Sequence, residues 1–235
     1  MAGTGFDGLA SKLHGTLLSP HDPRYASMCK WFTGRSDDLV PQVVVRCADT
    51  HDVIEALRFI RSHQMPFAVR AGGHSYAEYS STEGLLLDLG PMNGLQRRGS
   101  AIEVGPGTRI GPLAAALAKH ERVVPLGWCP TVGVAGSVLG GGFGPLGRLY
   151  GLSCDHLVAA RVVLADGREV PADTDREPDL FWALRGAGGG NFGVVTSLVL
   201  RTRPAVALSN FTCWWALGHA VPVIDVLTKQ RETRR

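Results

Sequence analysis

The segment "PLGWCPTVGVAGSVLGGGFGPLGRLYGLSCD" (residues 125–155) decides how this chain reads. Its glycines, Gly127, Gly133, Gly136, Gly140, Gly141, Gly142, Gly144, Gly147 and Gly151, are separated mostly by small and apolar residues. It is the longest of three glycine clusters, the others covering 71–75 and 186–193, in a chain with 30 glycines. Glycine lets backbone lie close against another group and lets amide N–H groups turn toward an anion. Three such clusters suggest a phosphate-bearing cofactor, with turn-rich connectivity as the plainer alternative.

Around these clusters the pattern is mixed helix and strand. "QVVVRC" (42–47) is a continuous apolar run, the mark of a strand covered on both faces. After it Thr50 is expected to cap a helix in which Val53, Ile54, Leu57 and Ile60 line one face. "FAVR" (67–70), "GLLLDL" (84–89) and "AIEVGPG" (101–107) read as further strands, and "RIGPLAAALAKH" (109–120) as a helix. "HLVAARVVLADGREVPA" (156–172) reads as a hairpin turning at Asp166-Gly167. A helix starting at Pro178, a glycine turn and a strand over 194–201 come next.

The glycines twice satisfy G-x-G-x-x-G, at Gly142, Gly144, Gly147 and at Gly188, Gly190, Gly193. A dinucleotide fingerprint needs a strand before the glycines and a helix after them. At Gly188 that order is reversed, and no strand leads into Gly142. A P-loop, H-E-x-x-H and G-x-S-x-G are all missing. The nicotinamide and nucleotide-triphosphate readings fail on context.

Bulk properties narrow the class further. Hydrophobic residues make up 45% and charged residues 19%, as in a globular protein. Net charge is +3, from 24 basic and 21 acidic residues, with no basic stripe, so nucleic acid is not expected as a partner. The closing "KQRETRR" reads as a solvated tail. No stretch reaches the ~18 apolar residues of a membrane span, and no signal peptide is seen. A cytoplasmic location without membrane contact is the expectation. Five cysteines without C-x-x-C spacing, and histidines scattered along the chain, indicate neither a disulfide framework nor a metal site.

"RAGGHS" (70–75) precedes "GLLLDLGPMNGL" (84–95), then the 127–155 segment, then "PDLFWALRGAGGGNFGVVT" (178–196). In that order and spacing they resemble the flavin domain of the vanillyl-alcohol-oxidase-type flavoproteins, in the berberine-bridge-enzyme-like branch, over about 41–204. The resemblance implies an α+β fold, a two-lobed PCMH-type FAD-binding domain over 35–204 with lobes of about 35–100 and 101–204. An N-terminal segment (1–34) precedes it, and 205–235 reads as only the start of a substrate domain. "FTCWW" (211–215) is expected as its first strand and "AVPVIDVLTKQ" (220–230) as its first helix.

The resemblance also assigns the cofactor, FAD, and its contacts. His74 is expected to bond the flavin 8α-methyl and Cys129 the flavin C6. Their plainer readings are a hydrogen-bonding imidazole and an inert buried thiol. A thiolate at Cys129 needs a lowered pKa, which a sequence does not display. Arg70, Ala71, Gly72, Gly73 and Ser75 form an anion nest for the pyrophosphate, with the Ser75 hydroxyl as an added donor. Gly127, Val132, Gly133, Gly136, Ser137, Gly140, Gly141, Gly142 and Gly144 lie along the ring and dinucleotide. Gly193, Val194 and Val195 approach the adenosine or ribityl part.

The implied activity is that of an oxidase: hydride passes from an alcohol, sugar, amine or ring carbon of a small-molecule substrate to flavin N5. O2 then takes the electrons and becomes H2O2. Family members are about twice this length, so the catalytic base is expected in a C-terminal half. None of Tyr25, Tyr76, Tyr79 and Tyr150 is a convincing substitute. Rival readings are an inactive flavin-binding fragment, half of a split protein completed by a separate chain, or a reductase of the same fold with noncovalent FAD.

Overall fold

The computed structural model describes residues 5–30, 32, 39–209 and 212–232, the last three by backbone alone. It separates into two compact units, 1–205 and 206–235. The first unit opens with α1 (Phe6–Ala10), β1 (Thr16–Leu18), α2 (Tyr25–Cys29), β2 (Val43–Arg46), α3 (Thr50–His63), β3 (Phe67–Arg70) and β4 (Leu85–Asp88). The strands form a sheet in the order β1-β2-β4-β3, with β4 parallel to both neighbours and β1 antiparallel to β2.

The continuous apolar runs arise from burial of both faces. Val43, Val45, Leu85 and Leu87 join Val53, Leu57 and Ile60 of α3 in one core. Val44 and Leu86, one step out of phase, join Leu18, Tyr25 and Ala68 in another. Each fully buried leucine contributes roughly 1.5–3 kcal/mol. The first strand lies in the segment expected to precede the domain, yet it completes this sheet.

The helix cap falls one residue earlier than expected. Asp49, in extended conformation, accepts the Asp52 N–H at 3.2 Å, while the Thr50 hydroxyl reaches Glu169 at 3.4 Å. Asp52 itself is fully buried and accepts three backbone amides, from His14 (2.7 Å), Gly15 (2.9 Å) and Ala48 (2.7 Å). That carboxylate ties the N-terminal segment to the start of α3.

Between Asp88 and Leu95 the chain passes to a second sheet. Its elements are β5 (Leu95–Arg98), β6 (Ala101–Val104), α4 (Ile110–Ala118), β7 (Arg122–Val123), α5 (Val134–Leu139), α6 (Gly147–Tyr150), β8 (Leu157–Val163), β9 (Glu169–Ala172), α7 (Pro178–Leu184), β10 (Val194–Arg201) and β11 (Arg203–Pro204). Five strands pair antiparallel in the order β5-β6-β10-β8-β9, while β11 pairs with β7. Leu113 of α4, Val138 of α5 and Phe181 of α7 bury against Val104 and Leu198 of this sheet. The second sheet thus starts at Leu95, before the residue-101 boundary read from the sequence, because β5 is solvent-exposed throughout and carries no apolar signal.

Neither G-x-G-x-x-G site is led in by a strand: α5 precedes Gly142 and α7 precedes Gly188. The second unit holds α8 (Ala220–Glu232), as expected. Residues 212–216 form no strand, contrary to the reading of "FTCWW", and Phe211 lies outside the described residues. Among the described residues no helix is long and apolar enough to cross a membrane.

Candidate functional site

Strand β3 delivers the loop 71–75 at the carboxyl end of the parallel strands, where open sheets commonly receive ligands. Gly73 takes φ +71°, a conformation costly for a side-chain-bearing residue. The loop meets the segment 129–134 backbone to backbone. A Cβ added to Gly72 would stand 2.2 Å from the Gly133 nitrogen, and one added to Gly133 would stand 2.5 Å from the Gly72 nitrogen. Helix α5 begins one residue later, its Val134 N–H donating to Thr108 O at 2.8 Å. Among the described residues the N–H groups of Gly72, Gly73, His74 and Ser75 donate to no protein acceptor. Ser75 Oγ accepts the Tyr79 N–H at 3.3 Å, which leaves its own proton to donate.

The other glycine clusters dock on the same scaffold. The carbonyls of Gly141 and Gly142 accept the amides of Cys154 (2.9 Å) and Ser153 (2.8 Å), and Gly144 crosses directly over Leu126 and Gly127. Gly188 N–H donates to the Leu139 carbonyl at the end of α5, at 2.8 Å. Gly136 and Ser137 lie within α5 and Gly140 ends it. The sequence pattern does not announce this helix, because the glycines mask the 134-135-138-139 spacing of its buried residues.

His74 and Cys129 come together through a residue that the sequence motifs do not single out. The Thr131 hydroxyl lies 3.0 Å from His74 Nε2 and 3.2 Å from Cys129 Sγ. Loop 129–133 is strapped to the start of α4: Ile110 N–H donates to Val132 O (3.0 Å), Gly111 N–H to Pro130 O (2.9 Å), and Arg109 Nη1 to Thr131 O (2.6 Å). Phe32 stacks on the imidazole with centroids 4.0 Å apart. Tyr76 stands edge-on to Phe32, and Trp128 edge-on to Phe143, all largely exposed.

The electrostatics suit nucleophiles. Partial burial, then the positive charge of Arg109, pushes the His74 pKa below its ordinary value, so the ring is neutral at pH 7. The Thr131 hydroxyl, then the Thr131 backbone amide, lowers the Cys129 thiol against a small opposing effect of burial. The depressed thiol that the sequence could not display is present in the structure. Sequence reasoning missed both Arg109 and Thr131, although Thr131 sits inside the motif that named its neighbours.

Other expected residues behave differently. Arg70 is buried, with Nε donating to Ser80 O at 2.8 Å and Nη1 to Met28 O, so it braces the loop from beneath. Ala71 and Val132 pack partly on the second core. Val194 and Val195 pair with Val163 and Val162, and their side chains are buried in the two cores. Central-strand alternation sends one valine to each side, so only their backbone is left for a ligand. Gly193 is demanded by its close approach to the Val163 carbonyl.

Among the described residues one His/Asp cluster has metal-like spacing, His14, Asp49 and Asp52. The Asp52 oxygens there are already committed to three amides, and His14 Nδ1 pairs with Asp49 Oδ2 at 2.7 Å. A concavity of about 350 Å³ between Arg58, Arg61 and Gly167 does not include His74.

Residues 41–173 match the FAD binding domain family. The chain is 34% identical over 214 residues to the uncharacterized FAD-linked oxidoreductase YgaK of Bacillus subtilis (strain 168), covering 87% of this chain and 47% of that protein. Among solved structures, the Physcomitrella patens BBE-like 1 protein superposes with TM-score 0.82 at 30% identity, over 86% of this chain and 45% of that one. Glucooligosaccharide oxidase from Acremonium strictum, a protein with a 6-S-cysteinyl, 8α-N1-histidyl FAD, superposes with TM-score 0.80 at 29% identity, over 85% and 42%. The chain spans about half the length of these relatives.

Proposed function

The chain belongs to the FAD-binding domain family, and from that membership we propose that it carries FAD bonded to both His74 and Cys129, as the flavin half of an oxidase. One observation carries the reading: two nucleophiles 55 residues apart in sequence share a single hydroxyl beside glycine-lined loops. The residues present suit the cofactor, because among the described residues the four amides of Gly72, Gly73, His74 and Ser75 are without acceptors.

The amides of Gly72 to Ser75 bind the pyrophosphate without a lysine, and the Ser75 hydroxyl donates to a phosphate oxygen. Neutral His74 keeps a nitrogen lone pair available, and Cys129, its thiol held below the ordinary range by Thr131, supplies the sulfur nucleophile. Gly141, where an added Cβ would meet nothing within 4 Å, would keep a side chain off the ring's flank, whereas Gly142 and Gly144 face Ser153 and Leu126 of the protein itself. Each attachment would release one proton from the side chain (the Nε2–H of His74, once its other nitrogen is bonded, or the S–H of Cys129) and one hydrogen from the flavin carbon, so each bond would need a two-electron oxidant, which O2 would supply. When bound, FAD supplies the acceptor for hydride from an alcohol, sugar, amine or ring carbon, with O2 reduced to H2O2. The substrate face and the catalytic base belong, in this reading, to a further segment or a separate chain.

Intact mass of the purified protein tests the attachment. Wild type is expected to carry the mass of one FAD, persisting in His74→Ala and in Cys129→Ala and vanishing in the double variant. A wild-type chain of bare polypeptide mass sinks the covalent reading. A bound flavin that no alcohol, sugar or amine bleaches would count against the oxidase reading.

A further inference from the structure

We propose that Thr131 is the positioning residue shared by both anchors: its hydroxyl takes the hydrogen bond of His74 Nε2–H and gives its own to Cys129 Sγ. The inference rests on the two-anchor reading above and adds the group that aligns the pair.

A hydroxyl has one proton and two lone pairs, so it serves two neighbours in one direction at a time. Either the imidazole donates to oxygen and oxygen to sulfur, or the thiol donates to oxygen and oxygen to the ring. The Thr131 and Val132 amides also favour a charged sulfur, which selects the first direction, with sulfur as acceptor, for the proposed arrangement. In that direction the His74 proton sits on Nε2, and Nδ1 keeps its lone pair. Nδ1 has no hydrogen-bond partner among the described residues. Arg109, the charged group that acts on the ring, opposes a second proton there.

A positioning residue must itself be fixed, and Thr131 is. Its carbonyl is held by Arg109, and the carbonyls of Pro130 and Val132 on either side are held by the first amides of α4. The side chain is exposed, so the fold makes no demand for its burial. Two nucleophiles from separate loops are thereby set by one oxygen atom.

The full-length Thr131→Val and Thr131→Ser variants test this, with two readouts. The first is intact mass with peptide mapping of the attachment points. The second is the rate at which iodoacetamide alkylates Cys129 in chains not attached through sulfur, measured against pH. Valine keeps the branched shape and removes the hydroxyl. The doubly attached species is expected to fall several-fold in Thr131→Val, and the alkylation profile to move to higher pH. Serine is expected to restore both. Wild-type attachment that survives unchanged in Thr131→Val, with an unmoved profile, overturns the proposal. So does a serine variant that behaves as valine does. A wild-type chain without FAD mass overturns the two-anchor reading itself, a result separate from either of these.

Discussion

At Gly133 the backbone angles are ordinary, φ −70° and ψ 130°, and alanine would adopt them without strain. The objection to a side chain is contact: an added Cβ would press on Gly72 N at 2.5 Å and Gly72 Cα at 3.0 Å. Both are backbone atoms, so neither yields as a side-chain tip would. Gly133→Ala is expected to cost about 1–3 kcal/mol, as overpacking does, and to lower both the thermal midpoint and the flavin retained. Gly136→Ala is its control, since a Cβ there meets nothing within 4 Å. In a helix that change is neutral or stabilising by up to about 1 kcal/mol. Equal midpoints for the two variants would contradict the crossing. The sequence displays both glycines alike, three positions apart, because nothing local says which one meets a loop 61 residues earlier. The motifs singled out His74 and Cys129, which the fold brings to one hydroxyl. They did not single out Thr131, since its contacts with both side chains exist only where two loops meet.

Among the elements, legibility tracked burial. Strands β2 and β4 announce themselves because successive residues enter different cores and all must be apolar. Strand β10 does the same. By contrast β5 is held by its ladder to β6 alone, and its "LQRR" carries no periodic signal. Helix α5 is disguised by glycine, and the cap of α3 slips from Thr50 to Asp49 because a carboxylate there also meets His14. The α3 N-terminus makes a sharp stability test. Asp52→Ala leaves the amides of His14, Gly15 and Ala48 without their acceptor. Unsatisfied buried donors of this kind cost about 1–3 kcal/mol each, and water reaching the exposed N-terminal segment relieves part of that. A net loss of about 3 kcal/mol is expected, read as a lower urea midpoint at unchanged slope. A midpoint equal to wild type would mean that the tie contributes nothing.

For the molecule as a whole, the first unit contains all three cores, whose buried members run from Leu9 to Leu200. Among the described residues, 206–235 contribute no buried residue to any of them, and Trp214, Leu217 and Val221 are largely exposed. A chain ending at Ala205 is therefore expected to unfold cooperatively at the same temperature as the full chain. Loss of a single sharp transition would show that the first unit depends on residues 206–235. The site is built wholly within this unit, from the end of β3 and the turn into α5. Strand β10, by contrast, is nearly the last part of it to be synthesised, yet it occupies the middle of the second sheet between β6 and β8. Until residues 194–201 are made, β6 and β8 each present an unpaired edge, the geometry that invites pairing with other chains. Pairings across such sequence distances also form slowly. The second sheet is thus assembled by insertion, and the nascent chain is most vulnerable to aggregation just before its centre arrives.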